Sequence, residues 1–197
     1  VPREIDHAAR REALCDAVVE IACREGFPAV TIRAVAAAMT ASTTTVTHYF
    51  RSRDELVSAA VRRELDRFQG FVAADVGDRR GADALLALVE AAVVRAPART
   101  RNLWLSVIEG ARRDPVLAGE LAVFNRFWDE RIARHSAELT RGRRRRAAIA
   151  DTVDVVTSGL VSLSFEDAEW DEDRRRALIA GLLRPLLRTP AGTGAGG

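Results

Sequence analysis

A chain of 197 residues is long enough to bury a substantial core, and its size excludes a miniprotein held together only by staples. Alanine, leucine, valine and arginine dominate, proline and aromatic residues are sparse, and no stretch alternates like a strand, so the expected fold is all-α. The 30 basic residues, every one an arginine, nearly balance 28 acidic ones for a net charge of +2. Global charge therefore names no partner, but local sign does: residues 26–53 carry Arg33, Arg51 and Arg53 and no acidic side chain.

The segment from about Asp6 to Glu25 reads as a first helix, with Leu14, Val18 and Ile21 on one face and Arg10, Arg11, Glu20 and Arg24 on the other. Gly26 stops it. Cys15 and Cys23 share that helix about 12 Å apart along its axis, too far for a disulfide, and no further ligands stand near them, so neither a bridge nor a metal site is expected. The charged N-terminal stretch does not read as a signal peptide and no apolar run is long enough to span a bilayer, which suits a cytoplasmic protein without a membrane partner. Thr31 caps a short helix to Met39, and after the break at Thr40 and Ala41 a second hydroxyl cap, Ser42, opens another to Tyr49. Ser52 and Glu55 have the spacing of a capping box, with Asp54 and Glu55 suited to the positive helix end; a long helix should run from there to about Asp75.

Beyond Gly81 the pattern is one of amphipathic helices over 83–95, 99–113 and 115–140, the last opened by Asp114-Pro115 and striped by Leu117, Leu121, Phe124, Trp128 and Ile132. The arginine run 141–146 reads as a solvated loop, followed by helices over 147–165 and 173–187 and a disordered glycine-rich tail, 189–197. That makes about nine helices with no internal repeat.

Two short capped helices joined by a tight turn are the geometry that presents a recognition helix to the major groove. Here that helix is 43–49, and it crowds Thr43, Thr44, Thr45 and Thr47 behind Ser42, although β-branched threonine is a mediocre helix former. Hydroxyls bond phosphate oxygens and base edges, and threonine methyls meet the thymine methyl, so this surface suits DNA. The expected DNA-binding set is Thr31, Arg33, Ser42, Thr43, Thr44, Thr45, Thr47, His48, Tyr49 and Arg53. At Thr31-Ile32-Arg33-Ala34-Val35-Ala36, and again from Thr45 through Tyr49-Phe50 to Leu56, the sequence resembles the N-terminal domain of the TetR (tetracycline-repressor) family of transcriptional regulators. The resemblance covers about residues 10 to 60. It implies that Tyr49 contacts the DNA backbone, that Phe50 packs the small domain's core, and that Arg53, where the family usually has lysine, meets a phosphate. Thr40 stands where the family commonly has glycine and would be strained at positive φ, so an altered turn geometry is expected. Thr47 stands where a tyrosine is common, which removes one phosphate contact.

The resemblance implies a homodimeric regulator, by default a repressor released from a palindromic operator by a small-molecule effector. The division expected is a DNA-binding domain over 1–52 and a ligand-binding and dimerisation domain over 53–188. Stretches such as 104–109 and 112–117 are loosely similar to the BetI-like subgroup. The middle helices concentrate bulky side chains, and Trp104, Ile108, Phe124, Asn125 and Trp128 are candidate walls of a ligand pocket, with Asn102 and Glu109 as further polar anchors. Apolar residues on the last two helices exceed what one hairpin buries and suit pairing with a second copy. No cofactor or metal is expected, and three scattered histidines without a nucleophile elbow or phosphate loop argue against an enzyme. A helical interaction module without DNA binding is the alternative, and it leaves the threonine-rich helix unexplained.

Overall fold

The computed structural model describes residues 7–166 and 171–188, and every regular element among them is helical. In chain order these are α1 (His7–Glu25), α2 (Ile32–Ala38), α3 (Thr43–Tyr49), α4 (Arg53–Val76), α5 (Gly81–Glu90), α6 (Ala98–Gly110), α7 (Pro115–Leu139), α8 (Arg143–Glu166) and α9 (Glu172–Leu187). The expected disordered tail lies outside the described residues.

The helix starts follow from their caps. Thr31 Oγ1 accepts from the amide of Ala34 at 3.0 Å, Ser42 Oγ from Thr45 at 3.1 Å, and Ser52 Oγ from Glu55 at 3.1 Å. The capping box is shifted by one residue on its return side, because Glu55 Oε2 accepts from the amide of Arg51 at 2.8 Å. Asp114 caps α7 through the amide of Val116 at 2.9 Å, with Pro115 in the first helical position as its sequence requires.

Three expectations are corrected. Thr40 has φ 48, so the turn between α2 and α3 keeps the left-handed geometry and the threonine carries the strain. The arginine run is the beginning of α8 from Arg143 onward, with the amide of Arg146 donating to Gly142 O at 3.0 Å. Arginine is a good helix former, and the opposition of its charge to the helix dipole is small at an exposed end. The helix expected over 83–95 is α-helical only to Glu90 and continues as a π-helical turn, Ala91–Arg95. The π turn buries Ala91, Ala92, Val93 and Val94, while Arg95 reaches Asp75 and Glu90, each at 2.5 Å. Hydrophobic periodicity does not register one extra residue in a turn.

The described residues belong to two compact units, one built from 7–68 with 97–125, the other from 69–96 with 126–166 and 171–188. In the first, α1 packs on α2 and α6 around Leu14, Val18, Phe27, Val46, Phe50, Leu56, Leu103, Val107 and Leu117. Gly110 ends α6 close against Leu117, since a Cβ there would stand 2.4 Å from Leu117 Cδ1 and that side chain would have to shift. Asp16 gathers Arg63 at 2.9 Å, Arg67 at 3.4 Å and Arg99 at 2.8 Å. Burial opposes its ionisation, but the bonds and charges of Arg63 and Arg99 outweigh that and hold its carboxyl below the ordinary range.

In the second unit, Leu85, Leu88, Val93, Ile132, Ile149, Val153, Ile179 and Leu183 form the interior of α5, α7, α8 and α9. Glu138 Oε2 accepts from the amide of Gly81 at 2.6 Å, tying α7 to the start of α5. On α8, burial and the neighbouring charges of Asp129 and Asp151 push the carboxyl of Asp154 up.

Candidate nucleic-acid interface

The expected recognition helix is α3, and its composition is explained by what each hydroxyl does. Val46 faces inward and is fully buried, with Phe50 fully buried just beyond the helix, as the resemblance implies. Thr43, Thr44, Thr47 and His48 are exposed, while Thr45 and Tyr49 are half-buried. Ser42 and Thr45 bond each other through their hydroxyls at 2.9 Å, and Thr47 Oγ1 donates to Thr44 O at 3.2 Å. Thr31 and Ser42 are thus first of all helix caps, and the outward face of the helix is carried by Thr43, Thr44, Thr47 and His48. Arg33, on α2, is exposed and has no acidic partner among the described residues. A surface of hydroxyl, imidazole and guanidinium groups without carboxylates is chemically fit to donate to phosphates and to read base edges.

Arg53 is placed otherwise than the resemblance implies. Its guanidinium donates to Val30 O at 2.8 Å, to Phe27 O at 3.1 Å and to Asp114 Oδ2 at 3.0 Å, so it joins the turn before α2 to the cap of α7. Sequence reading also missed Arg11, whose Nη1 donates to Tyr49 O at 2.7 Å while its guanidinium lies 4.0 Å above the Phe50 ring. No sequence signal marks that contact, because it joins residues 38 positions apart.

The ligand-pocket candidates do not form one group. Trp104 and Phe124 stack with centroids 4.1 Å apart, and Phe68 lies 5.9 Å from Phe124. Ile108 is 47% exposed and Asn125 is exposed, whereas Trp128 is buried in the second unit. The indole nitrogen of Trp104 is buried with no hydrogen-bond partner among the described residues. A cleft of about 570 Å³ lies between the turn after α1 and the α6–α7 corner. It is lined by Glu25, Phe27, Arg53, Glu109, Arg113 and Asp114 among others, and by none of the five candidates. Among the described residues no group of histidine, cysteine and carboxylate side chains could hold a metal ion, and no helix is long and apolar enough to cross a membrane.

Residues 14–60 match the family described as bacterial regulatory proteins, tetR family. The match stops short of the stretches that resemble the BetI-like subgroup, which is not confirmed. No curated protein matches the chain by sequence. Solved structures share its fold at low identity. A transcriptional regulator from Saccharomonospora viridis in complex with choline is 16% identical with a TM-score of 0.75, over 90% of this chain and 96% of its own. A TetR-family regulator from a Rhodococcus species is 17% identical with a TM-score of 0.74, over 91% and 100%. The regulator AibR, in complex with isovaleryl coenzyme A and operator DNA, is 16% identical with a TM-score of 0.67, over 88% and 98%. The N-terminal domain of this chain is thus that of the tetR family of bacterial regulatory proteins, on a chain with the fold of a TetR-type transcriptional regulator.

Proposed function

We propose that this TetR-type regulator works as a homodimeric repressor that a small molecule releases from a palindromic operator in the cytoplasm, and that it is not an enzyme. The observation that carries this reading is the outward face of α3, where Thr43, Thr44, Thr47 and His48 stand exposed behind a cap and a tight turn, with Arg33 on the preceding helix. The reader is residues 1–52, and residues 53–188 bind the ligand and the second copy. Thr31, Ser42, Thr45 and Tyr49 support the reading surface, while Arg53 serves it by holding the turn before α2.

A short helix reads too few base pairs for specificity by itself, and two copies related by a two-fold axis read two half-sites. Val155 at 72% exposure and Leu182 at 52%, on α8 and α9, supply apolar surface for that pairing. For the effector, the unpartnered indole N–H of Trp104 beside Phe124 suits a ligand with an apolar body and a hydrogen-bond acceptor. The two neighbours with bound choline and isovaleryl coenzyme A fit an effector-responsive role without naming this chain's effector. Release requires the effector to bind the DNA-free arrangement more tightly than the bound one.

Selection of binding sites from a random duplex library with purified protein tests the reading. An enriched palindrome is the expected result, and the absence of any enrichment at moderate salt would leave a helical interaction module without DNA binding.

A further inference from the structure

The first turn of α1 places one more donor beside the end of α3. His7 is exposed, and its imidazole centroid lies 5.7 Å from the Tyr49 ring and 6.1 Å from that of His48, which meets Tyr49 edge-on at 5.2 Å. This placement is fixed by a neighbour: one turn further along α1, Arg11 donates to Tyr49 O and covers the Phe50 ring. The start of α1 and the end of α3 therefore hold together as one piece. Among the described residues neither imidazole has a hydrogen-bond partner. Among the described residues Arg11 pairs with the carboxylate of Glu55, which lies 4.0 Å from its guanidinium and already accepts from the amide of Arg51. Three rings bearing N–H or O–H groups, those of His7 and His48 exposed and that of Tyr49 half-buried, thus form a row continuous with the surface of α3, and none of the three side-chain polar groups has a hydrogen-bond partner among the described residues.

We propose that His7 is a further DNA-contacting residue, its imidazole joining His48 and the Tyr49 hydroxyl to receive a backbone phosphate beside the groove that α3 enters. The proposal rests on the DNA-binding reading of α3. Such a contact fixes register and orientation on the duplex without reading sequence, and its signature is a change in salt dependence when its charge is altered.

The experiment is a salt titration of binding to a random-sequence duplex for the wild type, His7→Ala, His7→Arg and Glu20→Gln. The last variant makes the same charge change as His7→Arg at another exposed position of α1. His7→Ala is expected to weaken binding about fivefold, the loss of one hydrogen bond. His7→Arg is expected to tighten it and steepen the slope of log affinity against log salt by about one, with the slope of Glu20→Gln unchanged. A wild-type slope in His7→Arg, or an equal steepening in Glu20→Gln, overturns the proposal. A wild type that binds no duplex overturns the DNA-binding reading and this proposal with it.

Discussion

At the scale of single residues, the turn between α2 and α3 keeps a conformation that its side chain resists. Thr40 sits at φ 48 with a branched Cβ, a placement that disfavours an L-residue by about 1 kcal/mol or more. Thr40→Gly should raise the melting temperature by about 2 °C, after the larger entropy of the unfolded glycine chain is set against the strain relieved. Thr40→Ala keeps the Cβ and should not. The same residue shows where sequence reading stops: the missing glycine was legible as a departure, but whether the turn or the threonine would give way depends on how firmly the caps of Thr31 and Ser42 hold the flanking helices. Arg53 gives the complementary case. Its similarity to a phosphate-binding lysine is visible in sequence, whereas Asp114, 61 positions away, is not. Arg53→Ala should destabilise the fold by about 2 kcal/mol, and a double-mutant cycle with Asp114→Ala should show a coupling of about 1 kcal/mol. The salt slope of DNA binding should be preserved. A slope lowered by about one with an unchanged melting temperature would return Arg53 to the DNA backbone.

At the scale of elements, helix starts were legible because a cap is a local device: Thr31, Ser42, Ser52 and Asp114 each accept from an amide two or three residues on. The π turn at Ala91–Arg95 was not, since what accompanies it is a guanidinium meeting Asp75 from another helix. Ile108 follows Trp104 at helical spacing, yet α6 buries the stripe of Thr100, Leu103, Trp104 and Val107 and turns Ile108 outward. On α8, Asp154 stands in a setting that disfavours its charge. Burial first, then Asp129 and Asp151, raise its carboxyl above the unfolded value, so the folded state binds the proton more tightly and stability falls as pH rises through that range. Asp154→Asn should therefore raise the melting temperature at neutral pH. The gain should vanish near pH 3, where the carboxyl is protonated in both states, and a gain that persists there would assign the effect to packing.

At the scale of the whole molecule, the apolar surface of α8 and α9 is the feature a lone chain does not account for. Arginine at both Val155 and Leu182, replacing residues that are 72% and 52% exposed, should leave the monomer folded while converting a dimer to monomers in sedimentation experiments. A wild type that sediments as a monomer at micromolar concentration would remove the dimer from the proposal. That apolar residues recur on these helices was plain in sequence; which of them point outward emerges only once Ile179, Leu183 and Leu187 have taken the interior.

The interior of the first unit also bears on how such regulators can be taken apart. Leu56, Val57, Ala60 and Val61 reach it from α4, and Leu103, Val107 and Leu117 from α6 and α7, all of them fully buried. A peptide ending at residue 52 would leave Leu14, Val18, Val46 and Phe50 without that wall, and it should show no cooperative melting transition. For anyone assembling a chimeric regulator, the transplantable piece is therefore discontinuous in sequence, and a graft cut at the end of α3 should fail unless its new host supplies an equivalent corner of helices.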